Sequence, residues 1–366
     1  MKYRNIYVAA TGQHVGKTTS TLGLVASFKQ RGLGVGYCKP VGQKFLDIQN
    51  LRVDKDTLLF ADLIHFELNP DLHSPIILGA GATATYLDHP TPELLRDRLL
   101  HASHALSASN EVVIYEGTGH PGVGSVADLS NADVAKLLDA GVVMIVEGGI
   151  GSTIDKMNMC LALFREKNVP ILGVIVNKVL PDKMDKIRHY LQLKLDRMGL
   201  PLLGLMPYDR SLAFPLMKSV ADAINGEVIY NNQQMDNKVE DIIAGSLIDM
   251  KELKSSNNLL LVVSTTTLEK AIKKIEFFSK MLKLNESPLA GIVATGDGDL
   301  HSKVKKYVLQ HRIPLVRTQL DSYGSVLKIS RIEVKINLQT PWKIQRAIEL
   351  IQENVDLDKI LNQIEQ

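Results

Sequence analysis

Between Asn5 and Met206, short apolar runs rich in Val and Ile alternate with longer stretches whose apolar residues recur at helical spacing. Runs that are apolar throughout suit strands buried on both faces of a parallel sheet, and the stretches between them are long enough for crossover helices. The pattern predicts strands at 5–10 (NIYVAA), 34–39 (GVGYCK), 111–117 (EVVIYEG), 142–148 (VVMIVEG), 171–178 (ILGVIVNK) and 202–207 (LLGLMP). Helices are predicted over 18–31, 92–108, 131–138, 155–167 and 182–198. After MPYDRSLAFPLM the rhythm restarts with a helix at 218–224, an irregular segment at 226–246, strand LLLVVST, helix 266–282, strand LAGIVATG, helix 300–310 and strand IPLVRT. This is a second, smaller α/β unit. In the tail, Thr340 can cap a helix, Pro341 suits its first position, and Ile344, Ala347, Ile348, Ile351 and Val355 form one apolar stripe, so the tail should pack on a domain.

A chain of 366 residues is too long for one compact core, and two or three domains are expected. A net charge of +2 gives no electrostatic reason to expect a nucleic-acid or membrane partner, which leaves small molecules as the expected ligands. Cys38 and Cys160 sit in apolar contexts without metal-ligand spacing and read as reduced core residues of a cytoplasmic protein. The start, MKYRNIYVAA, is only briefly apolar, shorter than the apolar region of a signal peptide, and no run approaches the length of a membrane span.

Candidate chemistry concentrates after the first strand. In TGQHVGKT, residues 11–18, Gly12 and Gly16 let backbone N–H groups turn inward around phosphates, and the helix from Lys17 presents its positive end to them. Thr11, Gly12, Gln13, His14, Val15, Gly16, Lys17, Thr18 and Thr19 are therefore read as nucleotide-binding. Thr11 stands where the usual phosphate loop has its first glycine. Lys17 would reach the β and γ phosphates of ATP and the Thr18 hydroxyl would ligate Mg²⁺, which also takes one or two carboxylates. Strand ends on the same side of the sheet should supply them: Glu116 closes VVIYEG, and VDKDTLLF offers Asp54 or Asp56, one of which is expected to cap a helix.

In order and spacing, TGQHVGKT, GYCKPV, DTLLF, YEGTGHPGVGSVADLSNADVAKLLDAG, VIVNK and LLGLMPYD resemble the dethiobiotin synthetase-like P-loop fold, which also has threonine at the first loop position. The fold class expected is thus α/β, a P-loop NTPase-like, mostly parallel sheet with helices on both faces, plus a second smaller α/β domain and a C-terminal helix. The resemblance implies Lys39 as a substrate- and phosphate-facing lysine, catalytic together with Lys17. It also implies Thr18, Asp56 and Glu116 around Mg²⁺, with Asn177 reading the adenine edge.

The match departs where the biotin-pathway substrate would sit. That family follows its glutamate with a Gly-Ala-Gly-Gly turn and its Lys-Pro-Val with a small and a hydroxyl residue; here GTGHPG, and Gly42 with Gln43, take those places, so dethiobiotin synthesis is not expected. EGTGHPGVGSVADLSNA with EGGIGSTID is similar to the N-terminal region of long bacterial phosphotransacetylases. DNKVEDIIAGS, VATGDGD and IPLVRTQLDSYGSV resemble the DRTGG domain of those proteins, with Asp297 replacing the final glycine of its motif. The expected division is 1–217 for the P-loop domain, 218–328 for a DRTGG-like regulatory domain and 329–366 for the tail, with no residues left for a phosphotransacetylase catalytic domain. Two activities stay open: an ATP-binding sensor in acetate or acyl-phosphate metabolism, and an ATP-dependent ligase that activates a carboxylate or carbamate. Positioning ATPases of the ParA and MinD kind are disfavoured, since their loop carries an extra lysine near its start where Gly12 and Gln13 stand here.

Gly117, Thr118, Gly119, His120 and Glu147 are candidates for the substrate crevice, His120 as a ligand-facing side chain and Glu147 either lining the crevice or facing solvent. His101 and His104, one helical turn apart without a third ligand, read as surface histidines, KVKK at 303–306 as a solvated helix face, and the methionines of DKMNMC as core. Thr295 and Asp297 lie in glycine-rich turns suited to a small polar ligand or a dimer contact, and a homodimer is the expected assembly.

Overall fold

The structure, a computed structural model, describes residues 4–43, 45–48, 51–79, 81–245, 258–332 and 334–363. The first three residues of the amino-terminal stretch and Ser246, which ends DNKVEDIIAGS, lie outside the described residues. The chain forms two compact units, Met1–Asp209 together with Ile336–Gln366, and Arg210–Lys335.

The first unit contains β1 (Asn5–Ala10), α1 (Lys17–Gln30), β2 (Val35–Cys38), β3 (Val41–Gly42), β4 (Phe45–Ile48), β5 (Leu51–Asp54), α2 (Lys55–Ile64), β6 (Ile76–Ile77), β7 (Val112–Glu116), β8 (Ala140–Glu147), β9 (Ile171–Val179) and β10 (Leu202–Pro207). Six of these strands make one sheet in the order β10-β9-β8-β1-β7-β2, every pair parallel. They are the six strands expected from the apolar runs, because strands covered on both faces cannot afford polar alternation. Tyr7 and Ala9 enter a core shared with Leu99, Leu106, Leu161 and Phe164 of the crossover helices, while the alternation of a strand turns Ile6, Val8 and Ala10 to the opposite face. The short ladders β3–β6 and β4–β5 have no counterpart in the sequence reading. The helix expected from 155 starts four residues earlier, at Gly151, and within it Met157 is buried whereas Met159 is 70% exposed, so DKMNMC is only partly core.

α1 is buried along most of its length, from Ser20 to Phe28. One side lies on the sheet and the other is covered by the tail helix Pro341–Asn354. Gly23 permits the contact: a Cβ there would stand 2.3 Å from Ile351 Cγ1 and 2.9 Å from the Ala347 carbonyl oxygen. Past the helix, Asp356 N donates to Leu203 O at 2.7 Å and Val355 bridges Gly204, so the tail also occupies the open edge of β10. Ala347, Ile348, Ile351 and Val355 of the expected stripe are buried, and Ile344 is half-buried. Thr340 makes no side-chain cap; its hydroxyl instead donates to Asn337 O at 2.9 Å and accepts from Asn337 N at 3.0 Å, closing the turn before the helix.

The second unit contains β11 (Glu227–Tyr230), β12 (Asp241–Ala244), β13 (Leu259–Ser264), β14 (Leu289–Thr295) and β15 (Leu315–Thr318) in the order β11-β15-β14-β13-β12. All neighbours are parallel except β11, which runs antiparallel to β15. The segment expected to be irregular thus supplies both edge strands. Each has four residues and only one buried position between them, Ile243, too little to stand out as a run. A further helix, Ser322–Ser330, begins where the Asp321 side chain accepts from Gly324 N.

Candidate functional site

Open parallel sheets bind ligands beyond the carboxyl ends of their strands. β1 lies between β7 and β8, so the loop after β1 opens beside Glu116 at the end of β7. The loop reaches α1 through Gly16, whose φ of 105° suits glycine, and whose Cβ, if present, would lie 1.9 Å from Asn177 Nδ2. Asn177 holds this loop and its own neighbour: Nδ2 donates to Val15 O at 2.8 Å, and Oδ1 accepts from Lys178 N at 2.8 Å. Thr11 N donates to Ile145 O at 3.1 Å, Gln13 and His14 are exposed, and Val15 is buried.

Lys17 Nζ spans two loops, donating to Gly12 O at 2.9 Å and to Gly119 O at 2.8 Å. Beside it, Thr18 Oγ1 donates to Glu116 Oε1 at 2.8 Å; Thr19, the next residue, is half-buried. Lys39, from the end of β2, brings its ammonium 3.1 Å from Glu116 Oε1 and 2.7 Å from Asp56 Oδ2. Tyr37, two residues before Lys39, donates to Glu116 Oε2 at 3.2 Å. The two candidate aspartates separate here: Asp54 caps α2 by accepting from Asp56 N at 3.0 Å, and Asp56 carries its carboxylate to Lys39.

These groups are buried, Glu116 to 1% exposure and Lys39 to 5%, so their charges depend on one another. Burial alone would lower the Lys39 ammonium, but the charges of Glu116, Asp56 and Asp54 outweigh it and hold its pKa above that of an ordinary lysine. Burial raises Glu116 above the usual carboxylate range, against the pull of Lys39. Burial, followed by the negative charge of Glu116, keeps the Tyr37 hydroxyl protonated and able to donate. Thr18, Lys39 and Tyr37 all donate to Glu116, while the neighbouring carboxylates keep the Lys39 ammonium protonated.

The Thr18 hydroxyl lies 2.8 Å from Glu116, and Asp56 shares the Lys39 ammonium with Glu116; all three are hard oxygen donors of the kind Mg²⁺ takes, an ion with few protein ligands that completes its shell with water and phosphate oxygens. Among the described residues no group of three or more His, Cys, Asp and Glu side chains is arranged as a metal site on its own.

The crevice candidates divide. Gly117 and Gly119 are buried beside Glu116 and Lys17, and the Thr118 hydroxyl donates to Val41 O at 2.6 Å. His120 is exposed, with Nδ1 accepting from Gly122 N at 3.2 Å. Glu147 is exposed and engaged with Lys178 Nζ at 3.2 Å. Gln43 is exposed, as are His101 and His104, whereas Cys38 and Cys160 are buried free thiols. Tyr37 and Asn131 belong to the site and were not read from the sequence. Tyr37 had a usable signal in its two-residue spacing from Lys39, whereas Asn131 stands at a helix start and had none. In the second unit Thr295 Oγ1 lies 3.1 Å from Ser322 Oγ, Asp297 accepts from Gln319 Nε2, and the lysines of 303–306 are solvated.

A family model described as AAA domain matches residues 4–215. Among curated proteins, the phosphate acetyltransferase of Synechocystis is 20% identical over 98% of this chain and 51% of its own length, and that of Nitrosomonas europaea is 23% identical over 95% and 50%. The chain spans about half the length of the curated relatives it matches. Among solved structures, the MinD cell division protein of Aquifex aeolicus is 13% identical with a TM-score of 0.38, over 57% of this chain and 84% of that one. A plasmid partition protein of Borrelia burgdorferi bound to AMPPNP is 16% identical with a TM-score of 0.39, over 58% and 90%. No helix among the described residues is long and apolar enough to cross a membrane.

Proposed function

The chain belongs to this AAA-domain family, and on that premise we propose that its first unit binds ATP with Mg²⁺ and that the protein is a nucleotide-dependent regulator rather than a phosphate acetyltransferase. The observation that carries the reading is the junction of Lys17 and Thr18: Lys17 Nζ joins the carbonyls of Gly12 and Gly119 while Thr18 meets Glu116 at 2.8 Å, which puts a cation, a hydroxyl and a carboxylate at one helix start. Thr18, Glu116 and Asp56 would hold the Mg²⁺, whose charge would offset that of the phosphates. Lys39 keeps the carboxylates compensated without nucleotide. The second unit is the DRTGG-like sensor of this reading, and the phosphate acetyltransferase relatives, which match along 95–98% of the chain, favour acetate or acyl-phosphate metabolism as its setting.

One observation favours a second reading, an ATP-dependent ligase for a small carboxylate or carbamate. Lys39 is a buried ammonium 3.1 Å from Glu116, the residue that precedes Gly117, Thr118 and Gly119, where it could neutralise a transferring phosphate.

Calorimetry with Mg-ATP tests the site. Lys17→Ala should weaken binding by about 10- to 100-fold, the equivalent of a charged hydrogen bond, and undiminished affinity would overturn the assignment. ATP hydrolysis measured with and without small carboxylates separates the two readings, since only a ligase should turn over faster when its acceptor is present.

A further inference from the structure

Asn131 lies outside the phosphate loop and both acidic segments, yet it is 5% exposed and its amide is fully engaged. Oδ1 accepts from the Tyr7 hydroxyl at 2.7 Å and from Thr118 N at 3.0 Å. Nδ2 donates to the carbonyls of Thr118 and His120, each at 2.7 Å. Two donated and two accepted bonds are the whole capacity of an amide side chain. The residues so held flank Gly119, which has a φ of 64° and presents its carbonyl to Lys17 Nζ at 2.8 Å.

The frame behind Asn131 is itself fixed. Tyr7 belongs to the central strand, and Ser130 and Asp133 form a reciprocal capping box around the helix Asn131–Leu137. Gly117 is fitted to the same group, since a Cβ there would stand 2.7 Å from Asn131 Oδ1 and 2.9 Å from Tyr7 Cε1. Lys17 links this loop to the phosphate loop, its ammonium donating to both Gly119 O and Gly12 O.

We propose that Asn131 is a positioning residue of the nucleotide site, fixing residues 118–120 so that Gly119 faces Lys17 and distinguishes a triphosphate from a diphosphate. The proposal rests on the reading of Lys17 as the phosphate-binding lysine. A diphosphate can be held by residues 11–18 alone. Either nucleotide engages Lys17, but only the third phosphate extends past residues 11–18 and settles against the loop that Asn131 holds. A loosened loop should therefore weaken ATP binding and leave ADP binding nearly as it was.

The test compares ATP and ADP affinities of the full chain by calorimetry in the wild type, Asn131→Asp and Tyr7→Phe. Asn131→Asp keeps size and acceptors but cannot donate to the Thr118 and His120 carbonyls; Tyr7→Phe removes one anchor of Asn131 and leaves the loop's own bonds in place. Asn131→Asp should lower ATP affinity about tenfold or more and ADP affinity less than about threefold, and Tyr7→Phe should shift the ATP-to-ADP ratio in the same direction by about threefold. Equal losses for the two nucleotides, or an unchanged ratio in Tyr7→Phe, would overturn the proposal, because a role in stability alone does not tell ATP from ADP. Hydrogen exchange of the nucleotide-free protein separates this failure from that of the underlying reading. If the wild type binds neither nucleotide, that reading falls, while the amides of Thr118, Gly119, His120 and Gly122 should still exchange about tenfold faster in Asn131→Asp, and exchange equal to wild type would remove the clamp as well.

Discussion

At the carboxyl ends of its strands the first unit gathers Lys17, Lys39 and Glu116, all at most 9% exposed, whereas the corresponding ends in the second unit carry Ser264, Thr295 and Thr318. The contrast extends through both units. Among the described residues every buried Lys, Asp and Glu side chain lies in the first unit: Lys17, Lys39, Asp54, Glu116 and Lys343. Among its described residues, the buried polar side chains of the second unit are three hydroxyls, Thr295, Thr318 and Ser325. Each ion taken out of water costs several kcal/mol before compensation, and a parallel sheet needs none of them to fold, as the second unit demonstrates. Charge buried at strand ends is therefore a mark of chemistry, whereas a crevice at strand ends is only a consequence of topology.

The largest expected effect comes from breaking the charge cluster. Lys39→Met leaves Glu116 and Asp56 facing each other without their ammonium, and the first unit should lose about 3–5 kcal/mol of stability, read by hydrogen exchange on the six-stranded sheet, with the second sheet unaffected. A loss confined to a few tenths would mean that the cluster is solvated and that the contrast between the units is one of packing.

Lys343 sharpens the same contrast away from the site. Burial holds its pKa at about 8 against 10.5 for an ordinary lysine, so between these values the unfolded chain carries a proton that the folded chain has released. The sign follows: stability should rise with pH from about 8 to 10.5, by roughly 3 kcal/mol, and be insensitive to this group below pH 8. Lys343→Met should abolish the rise in urea unfolding followed over that range. A wild-type curve that stays flat there would show that Lys343 retains its charge in the folded protein.

The smallest effect is expected from the second unit. Ser322→Ala removes the hydroxyl 3.1 Å from Thr295 and should cost about 1 kcal/mol without changing Mg-ATP affinity. A loss comparable with that of Lys39→Met would erase the distinction between the units.

The six strands of the first sheet were legible because each is a nearly continuous apolar run, and their chain order brought the phosphate loop and Glu116 to one end. β11 and β12 were not, since short edge strands bury too little to pattern the chain. The choice between Asp54 and Asp56 depends on which residue starts α2, a matter of one turn of backbone that spacing alone leaves open. Asn131 follows a capping serine and carries the look of an ordinary helix start; its partners are 124 residues away at Tyr7 and 13 residues away at Thr118, and only the folded chain brings them together. Lys343 reads as a polar position beside an apolar stripe, and its burial follows from the docking of the tail.

That docking also sets an order in time. α1 ends at Gln30, and the helix that covers it, Pro341–Asn354, leaves the ribosome roughly three hundred residues later, which at about 5–20 residues per second is on the order of 15 to 60 seconds. Throughout that interval the small face around Gly23 lacks its partner, and from the synthesis of β10 onward the edge of that strand stands bare as well, the kind of surface that chaperones hold and that other nascent chains can pair with. The six-stranded sheet can assemble once β10 has been made, but the unit that carries the phosphate loop is closed only by residues that follow the whole of the second unit.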